Sequence, residues 1–407
     1  MRKLLIGLLA VGLVIAFVGP SYATDVSVKG TYRIRGWYMD RDSVLKTDTT
    51  TSSAYYDHRF RLQPTFAIAE GIGASVRFDV VDGTWGQAPG DDFAHDRAYG
   101  WFTTGFGKFQ MGEFVDLTWG TGFCDDSPNY EQIMYQGAFG PLGVLAKVVK
   151  LNEADKASTS ADGDFDSYKL GAIYKWDGGE AGAIAAYYID AATSTAYKAK
   201  YWGVAPYVKA NFGPLYLEAE LDKYLGDARD YSAAGTTDWD KSGISYYAQA
   251  KVNFGPAYAG VMYAYVQGDD TSTGTDDEGG PTGDDWNPSL IMFNDGGSGR
   301  FGGANFGEVD GVKVGGKVYQ VFAGASPMEN LSMKVAVSAF YVDEKGTALH
   351  DDLGTTLDVE ATYKLFSSVS YYVGLGYLWA GDYWKGASAA TQIEDSYVIK
   401  NQIQWSF

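Results

Sequence analysis

Apolar and polar residues alternate along this chain with a period of two, in segment after segment, and that period predicts β-strands. Over 26–39, Val26, Val28, Tyr32, Ile34 and Tyr38 share one face, and Lys29, Thr31, Arg33 and Arg35 share the other. Over 55–69, Phe60, Leu62, Phe66 and Ile68 oppose Arg59, Arg61, Gln63 and Thr65. Over 369–381, Tyr371, Val373, Leu375, Tyr377 and Trp379 oppose Tyr372, Gly374 and Gly376. The same pattern predicts strands at 73–82, 95–104, 107–118, 131–139, 143–153, 167–177, 181–190, 196–212, 214–225, 243–254, 257–268, 311–325, 331–343, 355–366 and 395–407. That makes eighteen; alternation is thinnest at 131–139 and 143–153, which leaves sixteen as the alternative count.

The connections alternate in length. Short ones fall at 70–73, 105–107, 140–143, 177–180, 213–214, 255–256, 327–330 and 367–368. Longer ones fall at 40–54, 83–94, 119–130, 154–166, 191–195, 226–242, 269–310, 344–354 and 382–394. An even number of antiparallel strands joined this way closes with both ends on one side and leaves no free sheet edge. The expected fold is therefore an all-β, transmembrane, antiparallel up-and-down β-barrel with apolar side chains toward lipid and polar ones toward water. Aromatics at strand ends (Trp37, Tyr38, Tyr263, Tyr265, Trp379, Trp405) suit interfacial girdles. Gly374 and Gly376 on the polar face suit an interior not filled by large apolar side chains.

The two ends refine this picture. Met1-Arg2-Lys3, an apolar run from Leu4 to about Val18, and Ser21 and Ala23 at the −3 and −1 positions read as a secretory leader cut after Ala23. The barrel is then one domain over 24–407. No later window of 18 or more apolar residues occurs, so spanning helices are not expected. In the last segment the odd positions read Tyr397, Ile399, Asn401, Ile403, Trp405 and Phe407, and the even ones Ser396, Val398, Lys400, Gln402, Gln404 and Ser406. This closing strand, ending in Phe407, resembles that of Gram-negative outer-membrane porins. The resemblance implies a bacterial outer-membrane location, short periplasmic turns, long extracellular loops, contact with lipid and lipopolysaccharide, recognition of Phe407 by the barrel-assembly machinery, and a possible homotrimer.

Composition narrows the function. The net charge is −19, which excludes the basic surface that nucleic-acid binding needs. Aromatics make up 15% of the chain, too many for a disordered acidic chain. The single cysteine, Cys124, allows no intramolecular disulfide and reads as a small loop residue. His58, His95 and His350 are scattered, so no metal, cofactor or catalytic centre is expected, and an enzyme is not.

Eighteen strands enclose a lumen too wide for their own side chains to fill, so it conducts or is plugged by loops. Strand parity sends Arg33, Arg35, Arg59, Arg61, Arg77 and Arg97 inward as one basic wall. It sends Glu218, Glu220 and Asp222 inward from the eleventh strand, roughly opposite. Facing walls of opposite sign would set up a transverse field that selects solutes. In the alternative, these charges only solvate the lumen and pair with neighbours, as Arg77 with Asp79. Two loops are constriction candidates. The 119–130 loop, with Trp119, Phe123, Asp125 and Asp126, stands where the inward-folded third loop of porins lies. The 269–310 loop begins acidic and continues with an apolar run, Leu290 to Phe293, that must bury itself inside the mouth or against a neighbouring subunit. Its acidic half could bind calcium, but it lacks a spaced Asp-x-Asp-x-Asp run ending in Glu, so a solvated loop is the expectation.

The expected function is passive diffusion of small hydrophilic solutes or ions through a charged, water-filled channel. Two alternatives stay open: an acidic-polysaccharide barrel, similar to the eighteen-stranded alginate-export family, or the sheath of a porin–cytochrome conduit whose haem comes from a partner.

Overall fold

The computed structural model describes residues 25–47, 52–87, 93–116, 118–125, 128–154, 163–194, 196–231, 235–294 and 301–407. The expected leader, 1–23, lies outside them. Eighteen long strands follow the alternating segments: β1 Asp25–Met39, β2 Ser53–Ala69, β3 Ile72–Thr84, β4 Ala94–Thr104, β5 Gly107–Val115, β6 Asn129–Phe139, β7 Leu142–Asn152, β8 Phe165–Trp176 and β9 Gly179–Asp190. They continue as β10 Tyr197–Phe212, β11 Leu215–Tyr231, β12 Ile244–Phe254, β13 Ala257–Val266, β14 Gly316–Met328, β15 Leu331–Tyr341, β16 Asp352–Phe366, β17 Val369–Ala380 and β18 Ser396–Ser406. The thinly patterned segments are both strands, which sets the count at eighteen. Two short pieces, Trp239–Lys241 and Asp276–Asp277, pair with each other within the long loops.

Each long strand pairs antiparallel with its sequence neighbours, and β1 also pairs with β18 from Thr31↔Ser406 to Met39↔Val398. The sheet is closed, so its backbone groups are satisfied without water. Phe407 extends the seam: its N–H and C=O exchange hydrogen bonds with Gly30 at 3.1 and 2.9 Å. A Cβ on Gly30 would stand 2.4 Å from the Phe407 ring, so the ring lies over that glycine.

Three short turns share the sequence Phe-Gly-Pro, at 139–141, 212–214 and 254–256. In each the glycine takes a left-handed φ (61°, 60° and 63°), which L side chains rarely adopt. The proline carbonyl then accepts from the next strand but one, as Pro214 O from Asn253 N at 2.9 Å. The tight turn fixes register, and register fixes which face looks inward.

The outer wall is an apolar belt, with Leu170, Val261, Val321, Val335, Val373 and Leu375 exposed. That is the surface a bilayer covers. The inner wall differs from the expectation of an unfilled polar lumen. Ala264, Val266, Val318, Phe322, Ala336, Phe340, Leu378 and Val398 face a core built inside the barrel. The 269–310 loop supplies its centre: Ile291, Met292 and Phe293 are fully buried there. Gly374 and Gly376 are small for this reason, since a Cβ on either would stand 2.8 or 3.1 Å from Leu290. They receive the plug; they do not hold open a bore. Trp37 is likewise not in a girdle. It shares parity with Arg33 and Arg35, and it joins this inner core.

Candidate pore constriction

Register brings the arginines together. Arg33 lies directly across from Arg59, Arg35 from Asp57, Arg61 from Asp79, and Arg77 from Arg97. They share their face with Trp37 and Tyr99, whose rings pack in the interior, so all six point inward. Four aspartates thread the row. Arg35 pairs with Asp57 at 2.8 Å and Arg59 with Asp82 at 2.6 Å. Arg61 takes Asp79, and Arg77 takes Asp96. The Arg77–Asp79 pair that illustrated the alternative does not form: a register shift at Phe60/Arg61 sets Asp79 across from Arg61, and one at Arg77/Phe78 leaves Asp96 beside Arg77.

Three cations exceed this pairing. Arg97 only shares Asp96 with Arg77, at 3.7 Å, and its Nε makes no hydrogen bond. Arg33 has no ion pair among the described residues, and its Nε is buried without an acceptor. Lys400 on β18 lies 4.6 Å from the Trp37 ring centroid and 5.6 Å from that of Tyr372, again with no carboxylate partner among the described residues. Lys400 was not among the expected site residues; its inward parity in the last strand was the available signal. Water reaches this wall: the Arg59 and Arg61 side chains are 30% and 28% exposed.

The opposite wall is different. Glu218, Glu220 and Asp222 do point inward, but they do not line the bore as expected. Glu220 and Asp222 are buried, at 4% and 7% exposure. Glu218 accepts from the Tyr216 and Tyr247 hydroxyls, each at 2.7 Å, and from Gln249 at 2.9 Å. What covers Glu220 and Asp222 is the segment after β5. The strand stops at Val115, three residues before its expected end, and the chain turns inward at Asp116, because Asp116 bridges Lys147 and Lys169 inside the barrel. Burial would raise the Asp116 carboxyl; Lys169 and Lys147 outweigh it and hold it down at about 2.

The loop then docks side chain by side chain. Trp119 donates its indole N–H to Ala205 O at 2.7 Å and meets the Tyr207 ring edge-on at 5.4 Å. Gly120 has a left-handed φ of 55°, and a Cβ there would stand 2.2 Å from Glu220 Oε2, so only glycine permits the approach. Thr121 donates its backbone N–H and its hydroxyl to Glu220. Phe123 stacks on Tyr247 and meets Trp286 of the long loop edge-on at 4.9 Å. Asp125 accepts from Trp119 N at 2.7 Å. Burial pushes its carboxyl up to about 8, with Glu220, Asp285 and Asp116 adding to the shift against the Trp119 N–H. Asp126 lies outside the described residues.

The long loop docks by the same means. Leu290 N donates to Asp358 on β16 at 2.9 Å, and Gln320 Nε2 donates to Pro288 O at 2.8 Å. Phe293 adopts a φ of 50°, unusual for a bulky residue, and packs against Phe306 and Phe340. The two loops join where Asp285 N donates to Asp125 O at 3.2 Å and the Cys124 thiol donates to Pro281 O at 3.2 Å. Together they pack into the interior without filling it, and leave the arginines of the β1–β4 wall facing water.

No family model and no curated relative matches the chain. Solved structures that it resembles include barrels of Pseudomonas aeruginosa. OccK2 superposes with a TM-score of 0.58 at 13% identity, over 94% of this chain and 98% of that one. OccK2 in complex with glucuronate gives 0.56 at 14%, over 94% and 97%. OprD gives 0.53 at 14%, over 94% and 95%. At these identities the likeness is one of fold: the chain is an eighteen-stranded barrel of the architecture that Gram-negative porins adopt.

Proposed function

We propose that this protein is an outer-membrane channel through which small hydrophilic solutes diffuse passively, with a preference for anions. One observation carries the reading: the basic wall touches water while Glu220 and Asp222 opposite are buried under loop and Glu218 is tied to Tyr216, Tyr247 and Gln249. A solute in the open part of the lumen meets Arg33, Arg59, Arg61, Arg97 and Lys400, and the carboxylates opposite are screened from it. Charge in a low-dielectric channel acts over the whole cross-section, so this imbalance sets the sign of the preferred solute. The likeness to a barrel solved with glucuronate makes a small carboxylate the first solute to try. The inner core around Phe293 occupies the space a threaded partner chain would need, which counts against a cytochrome sheath.

Conductance of the purified protein in planar bilayers under a KCl gradient tests this. A reversal potential of the anion-selective sign supports it. A folded barrel that carries no current, or one that prefers cations, overturns it.

A further inference from the structure

The docked segment 118–125 does more than narrow the lumen: it separates two cavities stacked along one wall. The outer one, of about 270 Å³, is lined among others by Phe165, Lys169, Tyr188, Glu220 and Asp222. The inner one, of about 580 Å³, is lined among others by Gly171, Lys175, Glu180, Tyr207 and Lys209. Three neighbouring strands give the same order from the long-loop side to the short-turn side. On β8 the outer cavity reaches Lys169 and the inner begins at Gly171; on β10 the break lies between Ala205 and Tyr207; on β9 it lies between Ile184 and Glu180.

Trp119 lines both cavities. Its N–H holds Ala205 O, on the outer side of the break, and its ring meets Tyr207, on the inner side. The far edge of the indole reaches β8, where a Cβ on Gly171 would stand 3.1 Å from it. One side chain thus spans the gap from β8 to β10.

We propose that the barrel carries a second solute path along the inner wall of β7–β11, separate from the arginine row, closed here by the Trp119 indole and favouring small cations. The charge follows from pairing in the outer cavity. Lys169 is held by Asp116 and Lys223 by Ser242 O. Asp125, Glu220 and Asp222 have no cationic partner in ion-pair range among the described residues, and one Asp222 carboxylate oxygen is buried without a hydrogen bond. Carboxylates that no cation compensates attract small cations once an open path brings water to them.

The test is Trp119→Gly in planar bilayers, with folding checked by heat-modifiable migration. The expected result is a conductance above wild type with the reversal potential shifted toward cations, and Asp222→Asn in the same background reverses the shift. Trp119→Leu, which keeps an apolar side chain against Tyr207 but shortens the stopper, gives a smaller change of the same sign and serves if the glycine variant does not fold. Wild-type conductance and selectivity in a folded variant overturn the proposal. So does a rise in conductance that keeps the wild-type reversal potential, which would mean only that the main bore had widened. The proposal rests on the barrel being a channel, and a silent wild type would instead sink that reading.

Discussion

Glu220 on β11 accepts both the backbone N–H and the hydroxyl of Thr121, so one carboxylate on the wall holds the tip of the inward loop. Glu220→Ala leaves both donors without this acceptor, at roughly 1–3 kcal/mol for each that stays unpaired. The loop should then leave its seat part of the time. Single-channel records are expected to show added current noise at constant voltage. A trace as quiet as wild type would show that Trp119 and Phe123 hold the loop unaided.

The arginine row is the second target. Arg59→Glu together with Arg61→Glu reverses two charges on the water-facing wall and should move the reversal potential toward cations. The shift should shrink between 0.1 and 1 M salt, where the screening length falls from about 10 Å to about 3 Å. An unmoved potential at low salt would remove these residues from the path.

Loop seating should depend on pH through Asp125. Its carboxyl is raised from an ordinary value near 3.8 to about 8 in the seated loop. A raised acid favours the seated state fully below the ordinary value and loses that contribution as pH climbs to about 8, beyond which nothing more is lost. Current noise is therefore expected to grow from pH 5 to pH 8 and level off above. Asp125→Asn should flatten the profile, and a persisting slope in that variant would assign the titration elsewhere.

The inner core gives a fourth expectation. Phe293 is fully buried against Phe306 and Phe340. Phe293→Ala should cost about 3–5 kcal/mol. Because the plug is the part that loses packing, the loop should become cleavable by added protease while the barrel stays heat-modifiable. Equal protease resistance in variant and wild type would mean that the loop is held chiefly by Asp358 and Gln320.

The strands were readable because each sequence position has one of two fates, lipid or lumen, and alternation records the choice. Even β6 and β7 follow it, with Ile133 and Val148 exposed and Met134 and Val149 buried. Parity also sent Glu218, Glu220 and Asp222 inward correctly. What it lacks is any account of what else is inside. Gly374 and Gly376 read as open space, yet they are the mould for Leu290. The loops have no period of their own, so the flagged apolar residues Trp119, Phe123, Leu290 and Phe293 could be expected to bury themselves but not against Tyr207, Tyr247 or Phe340. That Arg77 pairs with Asp96 and not Asp79 is illegible for a smaller reason: a one-residue irregularity in a strand pair leaves no mark in composition or alternation.

The notch that Gly374 and Gly376 cut for Leu290 ties the plug to its own cylinder. A loop borrowed from another barrel would arrive with knobs and no matching dents. Any redesign of what passes through must therefore recarve the staves from β13 to β18 along with the stopper they carry.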